Sequence, residues 1–388
     1  MPVHTLPDHE QPPSRPDRTA GRPPQVRKAS LDDYEQIAAL HVRNGLAAKS
    51  YDDWVALWLG NPVYQQRGGQ WPIGWVLETE SCGVVGWVGN IPSAYQFRGH
   101  RLCAATPCSW MVDAAHRGYG MLTLNRLLRQ RDIDLFVCSN VSPISEPFTR
   151  HLRFSRVPIG DWHKSAFWIT NYAGFAQIAL KLKSVPLARA LAYPVSAALI
   201  CRDRCCGGWE GHRNSIAEIE RCGEFDSRFD DFWDELQHQN ENVLLAVRTR
   251  ETLAWHFRTA LMQRRAWILA SLKGSRLIAY AIFDRQDNPG IGLHRVRLVD
   301  FQAHRGSEHA LLSALFWMLH KCREDGIHMV EVSGCWLNRP GLPRIVGPYH
   351  RTLPSWRYYY KAIDPKLSDL LRDSKIWAPS SFDGDASL

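Results

Sequence analysis

Two hydrophobic rhythms alternate along the chain. Leu31, Tyr34, Ile37, Ala38 and His41 recur at helical spacing behind Ser30 and Asp33, an acidic variant of the capping box. A second helix is predicted over Tyr51–Leu59, stopped by Gly60-Asn61-Pro62. Extended apolar runs read as strands at Val26–Ala29, Ile73–Thr79, Gly83–Phe97 and Leu102–Asp113, with breaks at Ser81-Cys82-Gly83 and Gly99. Helices are expected over Leu122–Arg131 and Glu146–Arg153, on either side of a buried-looking strand at Asp134–Ser139, and strand returns from Phe154.

From about Asn214 the alternation resumes. Trp267–Leu272 and Arg276–Asp284 flank Lys273-Gly274-Ser275 as a hairpin. A strand at Gly292–Gln302 follows the turn Asn288-Pro289-Gly290; then come a helix at Glu308–Arg323 and a strand at Ile327–Ser333. The two halves share a landmark. Ala115-His116-Arg117-Gly118 and Ala303-His304-Arg305-Gly306 each follow a long strand and precede helix, then strand, which suggests a duplicated module.

Between the halves, Phe175, Ile178, Ala179, Leu182 and Leu187 form an apolar helical stripe that includes Lys181 and Lys183 and is broken at Pro186 and Pro194. The uncharged run Ala190–Cys201 is too short for a bilayer, which takes about 20 apolar residues. It reads as a helical connector packed between domains or as an interfacial membrane helix, so peripheral membrane contact stays open and spanning does not. The expected organisation is a disordered tail at 1–25, rich in proline, a first module at 26–170, a connector at 171–213, a second module at 214–364 and a loop-like tail at 365–388.

Composition adds limits. At 388 residues the chain exceeds one ordinary core, and 45% hydrophobic with 22% charged residues describes a globular protein. The net charge of +8 points to anionic partners, but no Lys/Arg run has the length of a nucleic-acid arm, so no specific nucleic-acid partner is expected. Ten cysteines and no apolar leader fit a cytoplasmic chain with free thiols. Cys201, Cys205 and Cys206 cluster without a matching second pair at zinc spacing, so no metal is expected.

The chemistry-bearing segment runs from Val112 to Met121. A strand ends at Trp110-Met111-Val112-Asp113, and Arg117-Gly118-Tyr119-Gly120 turns into a helix. Glycines allow positive φ and close backbone approach, and the free amides of a helix start attract phosphate oxygens. Arg117 adds a charge-assisted hydrogen bond.

This order of elements resembles the GNAT acyltransferase superfamily over about Val26 to Ile169. The family's phosphate signature, Gln/Arg-x-x-Gly-x-Gly/Ala, meets Ala115-His116-Arg117-Gly118-Tyr119-Gly120; both glycines match and the leading residue is Ala115. The resemblance implies an α/β fold of two tandem GNAT-like domains, each a mixed, largely antiparallel sheet flanked by helices. It implies acyl-CoA, with acetyl-CoA expected, as co-substrate, bound by Met111, Val112, Arg117, Gly118, Tyr119, Gly120, Met121 and Asn140, and an amine acceptor on a small molecule or polymer precursor. A base must take the amine proton, and Asp113, Glu78 and Glu146 are the candidates. The family's frequent Tyr-x-x-Leu-Gly-Phe segment reads Thr149-Arg150-His151-Leu152-Arg153-Phe154 here, with threonine in place of the usual acid. The second half looks degraded, because Ser307-Glu308 replaces the second glycine and sets a carboxylate where phosphate would lie. The layout is also similar to the tandem aminoacyl-tRNA-dependent peptidoglycan transferases. A silent GNAT-like scaffold and a basic nucleic-acid binder are the alternatives from other classes.

Overall fold

The computed structural model describes residues 22–205, 218–334 and 349–388. In chain order the elements are β1 (Gln25–Lys28), α1 (Tyr34–Arg43), α2 (Tyr51–Leu59), α3 (Pro62–Gln66), β2 (Gly74–Thr79), β3 (Gly83–Phe97), β4 (His100–Val112), α4 (Gly120–Leu128), β5 (Leu135–Cys138), α5 (Glu146–His151), β6 (Ser155–Arg156) and β7 (Lys164–Ile169). Two helices follow, α6 (Tyr172–Leu182) and α7 (Ala188–Cys205). The remainder comprises β8 (Ile219–Cys222), α8 (Arg228–Gln239), β9 (Leu245–Ala246), α9 (Arg250–His256), α10 (Arg258–Met262), β10 (Ala266–Lys273), β11 (Arg276–Arg285), β12 (Arg295–Ala303), α11 (Ala310–Glu324), β13 (Met329–Ser333), β14 (Tyr349–Thr352), β15 (Tyr359–Ala362) and α12 (Pro365–Leu370).

Capping residues set several helix starts. The Ser30 amide donates to Asp33 at 2.8 Å, Ser50 accepts from the Asp53 amide at 3.2 Å, and Asn61 accepts from the Val63 amide at 2.9 Å ahead of Pro62. Ordered strand begins at Gln25, one residue inside the expected tail; residues 1–21 lie outside the described set.

There are two mixed sheets with helices against them. The first runs β1-β2-β3-β4-β5-β15-β6, with β9 paired to β3, and the second β14-β7-β13-β12-β11-β10-β8. They exchange strands. β7, from before residue 170, lies between β14 and β13 in the second sheet, while β15, near the far end, lies between β5 and β6 in the first. Each sheet thus takes a strand from beyond the sequence bounds expected of its module. Neither sheet is complete without the other half.

The aromatic run Trp356-Arg357-Tyr358-Tyr359-Tyr360, which reads in the sequence as a strand with one buried face, contributes to the core. Tyr358, Tyr359 and Tyr360 are all buried, and the Tyr358 and Tyr360 rings pack against Trp377 at centroid distances of 5.9 and 5.0 Å. The tail expected to be loop also differs. It forms α12 and then enters the interior, where Ser380 to Asp383 are buried.

Candidate active site

The first sheet opens at one place. β4 pairs with β3 along most of its length, but Trp87 faces Met111 while Gly89 faces Cys108, so Val88 alone stands across from Ser109 and Trp110. That extra residue is a β-bulge, and Ser109 takes φ 51° to make it. On its other edge β4 pairs with β5 in parallel only at Ala104–Leu135 and Ala105–Phe136. From Thr106 onward that edge of β4 carries no strand among the described residues, so its backbone groups are available to a ligand.

A cavity of about 310 Å³ fills the gap, lined by Cys108, Trp110, Leu124, Asn140, Thr149 and Asp385 among others. A second cavity of about 260 Å³ lies on the far side of the bulge and shares Cys108 and Ser109 with the first. Its walls are mostly aromatic and aliphatic, with Tyr34, Ile37, Trp54, Trp58 and Trp87, and His41 and Lys49 also line it. The bulge is the wall between the two.

Met111 and Val112 are buried in the β3–β4 ladder directly after the bulge. Ala114 to Tyr119 form a 3-10 turn, and α4 begins at Gly120. Neither Gly118 nor Gly120 uses positive φ, so the reason expected for these glycines is corrected. Gly120 is tightly packed: a Cβ there would stand 3.2 Å from Val112 Cγ2 and 3.3 Å from the Trp110 ring, so both neighbours would have to give way slightly. A Cβ on Gly118 would meet nothing within 4 Å. Arg117, Gly118 and Tyr119 are exposed, and Arg117 pairs with no carboxylate among the described residues. Met121 is half-buried in the first turn of α4, and Asn140 borders the 310 Å³ cavity.

The three expected bases are all committed elsewhere. Glu78 sits at the sheet edge beside β1 and accepts from Arg27 at 2.8 Å, which holds its carboxyl below the usual range. Glu146 is clasped by Arg357, Tyr359 and Arg150, the last at 2.8 Å. Asp113 ties the end of β4 to α1 through Arg43 at 2.9 Å and Asn44 at 3.1 Å. None of the three lines either cavity beside the bulge. Thr149 does line the larger one, with its hydroxyl donating to the Ser145 carbonyl at 3.1 Å.

Sequence reasoning missed Asp385. The C-terminal segment crosses the molecule and drops this carboxyl into the larger cavity. Gly384 makes the approach possible: it has φ 95°, and a Cβ on it would sit 2.4 Å from Ser139 Oγ. Burial pushes the Asp385 carboxyl up to about 6, against the opposing pull of its own amide, Asn140, Ser139 and the Lys49 charge. Its Oδ1 is shut off from solvent without a hydrogen-bond partner, and so is Trp110 Nε1 on the same cavity. Burial is also the main reason that the Cys108 and Cys138 thiols are pushed above their ordinary range, with Asp385 adding to the effect.

The second landmark is built differently. Gly306 has φ 84°, a left-handed turn where the first half has a 3-10 turn. His304 is stacked on Phe232 at 4.3 Å, and the Arg305 amide donates to Gln239 at 2.9 Å. The Arg305 guanidinium donates to the Gln239 carbonyl at 2.5 Å. Among the described residues no group of three His, Cys, Asp or Glu is placed to hold a metal, and no helix is long and apolar enough to cross a membrane. Among the described residues Cys82, Cys103, Cys108, Cys138, Cys201, Cys222 and Cys322 are free thiols; Cys206 of the expected cluster lies outside the described residues.

No protein-family model matches the chain, and no curated protein matches its sequence. Solved structures do match. A GCN5-related N-acetyltransferase from Kribbella flavida superposes with a TM-score of 0.53 at 11% identity, over 88% of this chain and 71% of that one. A second, from Anabaena variabilis, gives 0.51 at 14% identity, over 88% and 73%. Saccharomyces cerevisiae N-myristoyltransferase with bound myristoyl-CoA gives 0.50 at 10% identity, over 92% and 90%. With its bulged β4, its parting of β4 from β5 and its two helix-flanked sheets, the chain has the GNAT fold.

Proposed function

We propose that the protein is an acyltransferase that moves an acyl group from acyl-CoA to an amine. The observation that carries this reading is the buried Asp385 carboxyl, with one oxygen unpartnered, in the cavity where β4 and β5 part. The donor's pyrophosphate would lie over the exposed turn Arg117-Gly118-Tyr119 at the start of α4, with its arm in the 310 Å³ cavity and its thioester at the bulge. The fold supports the donor class, since a structure of the same fold holds myristoyl-CoA.

The chemistry then balances without a further reagent. The amine nitrogen attacks the thioester carbonyl, a C–N bond forms, the C–S bond breaks, and CoA leaves as its thiolate. Asp385, ionised above about pH 6, takes the amine proton. Thr149 offers no acid of the usual tyrosine kind, so the thiolate takes its proton from solvent. Held geometry supplies most of the acceleration in such a reaction. Acetyl remains the simplest acyl group, and the aromatic cavity beyond the bulge offers room for a longer one.

Turnover of acetyl-CoA against a panel of amines, followed by thiol release, tests the reading. Amine-dependent thiol release lost in Asp385→Asn supports it. Acyl-CoA binding with no turnover on any amine would instead favour a silent GNAT-like protein, a reading that Thr149 keeps in play.

A further inference from the structure

The paired helices α6 and α7 present an apolar face outward. On α7 the inward positions Ala188, Ala192 and Ser196 are buried. The opposite stripe, Leu187, Ala190, Leu191, Pro194, Ala197, Ala198 and Cys201, recurs at i, i+3, i+4 and i+7, and every member is exposed. A helix docked on its own protein is arranged the other way round. Leu187 is 79% exposed, Tyr193 72% and Leu182 59%, three of the most exposed large apolar side chains described in the molecule. Scattered exposed leucines need no explanation, but an aligned stripe does.

The turn between the helices adopts an uncommon backbone conformation. Ser184 and Leu187 both have positive φ, at 53° and 57°, without being glycine. The base of the pair is firmly seated, since Phe175, Ile178 and Leu199 pack with Phe167, Ile169 and Met329 of the second sheet. A rigid stem therefore carries an outward leucine tip.

Charge identifies what the face meets. No acidic residue occurs between Asp161 and Asp203, while Lys181, Lys183 and Arg189 surround the leucines and Arg204 marks the far end of α7. Asp203 itself is occupied by Tyr172 and Tyr349, each at 2.8 Å. Leucines and a tyrosine ringed by lysine and arginine suit the headgroup boundary of an anionic lipid bilayer, where the apolar face sinks by about 5–10 Å and the cations meet phosphate. No described helix is long and apolar enough to cross, which fits lying on the surface rather than spanning it. We propose that α6 and α7 form a membrane-contact element that holds this protein on anionic lipid surfaces.

Sedimentation of the full chain with vesicles of phosphatidylcholine, with and without phosphatidylserine, at low and high salt tests this. Binding is expected to the charged vesicles and to fall with salt. Leu187→Asp with Leu191→Asp should weaken it at least about tenfold, because two inserted apolar side chains are lost. Both positions are exposed, so circular dichroism and thermal melting should be unchanged. Lys181→Glu with Lys183→Glu should cost at least about thirtyfold on charged vesicles, in line with the contribution of each surface cation. A chain that stays in the supernatant with charged vesicles at low salt overturns the proposal. So does a leucine variant that sediments like the unaltered protein, or a dimer abolished by those variants in the absence of any vesicle binding.

Discussion

The two Ala-His-Arg-Gly segments share four residues and the same place after a bulged strand, yet what surrounds them differs. β12 also carries an extra residue, Val299, because Ile282 faces Asp300 while Phe283 faces Leu298. Beside the β4 bulge lies a cavity holding a carboxyl with an unpartnered oxygen. Beside the β12 bulge lies Asp300, fully buried and saturated, bonded by Arg248 at 2.9 Å and by the Tyr280 hydroxyl at 3.0 Å. Arg248, also buried, bonds Asp383 at 3.1 Å. One C-terminal segment thus plays both parts: Asp383 closes the network in the second half, and Asp385, two residues on, enters the cavity of the first. One half keeps an open cavity beside its bulge, and the other fills the equivalent space with an ion-pair network that anchors the same C-terminal segment.

The largest expected effect comes from separating the two aspartates. Asp385→Asn should lower kcat/KM by about 10²–10⁴, the range for loss of a general base, and erase a rise in kcat/KM centred near pH 6. Its effect on stability has the opposite sign to most core changes. The folded carboxyl is raised above its unfolded value, so between about pH 4 and 6 the folded state holds more protons and stability falls as pH rises through that window. Replacing it with a neutral amide should leave stability at pH 7 unchanged or higher, as urea unfolding would show.

The converse variant acts on the anchor. Asp300→Ala leaves the Arg248 guanidinium buried beside Asp383 alone and should cost about 3–5 kcal/mol by urea unfolding. Activity should fall as well, through displacement of Asp385, but the pH limb near 6 should survive in whatever activity remains. Loss of that limb in Asp300→Ala would break the distinction between anchor and base.

A smaller effect concerns the aromatic cavity. If it receives the acyl group, acyl-CoA donors of about six to eight carbons should outperform acetyl-CoA by roughly tenfold in kcat/KM, since each buried methylene contributes about 0.8 kcal/mol less what ordering the chain costs. Trp58→Ala should then reduce the preference. A donor series with no dependence on length would assign that cavity to the acceptor instead.

Much of the frame was legible in the sequence, because it rests on local pattern. Tyr51–Leu59 and Gly83–Phe97 form as their periodicity and their Gly-Pro breaks indicate. The strand exchange was not legible, since β7 and β15 each read as a strand wherever they pair. The turn into α4 forms where the sequence placed it, but Gly120 there stands in close contact with Val112 and Trp110 and does not use positive φ. The ties that hold the three expected bases were not legible, because most of the partners lie far along the chain. Glu78 pairs with Arg27 and Glu146 with Arg357 and Tyr359, all far off in the chain, while Arg150, four residues beyond Glu146, is a partner that the sequence does place nearby. Asp383-Gly384-Asp385 has the composition of a surface loop, and the partners that hold its segment inside, Arg248 and His256 among them, lie far upstream.

The central claim is that one acyl-CoA site exists, in the first half. Calorimetric titration with acetyl-CoA tests it most directly, on the unaltered chain and on Gly118→Asp and Gly306→Asp. A side chain at Gly118 meets nothing in the protein, so Gly118→Asp should fold normally while placing a negative charge against the pyrophosphate, which two unit charges about 4 Å apart oppose by roughly 4 kcal/mol at a surface-like dielectric. Gly306→Asp, at φ 84°, should cost stability by about 1 kcal/mol and leave binding alone. The account predicts one acetyl-CoA per chain, abolished or greatly weakened by Gly118→Asp and untouched by Gly306→Asp. A stoichiometry of two with the second site removed by Gly306→Asp, or undiminished affinity in a folded Gly118→Asp, would contradict it.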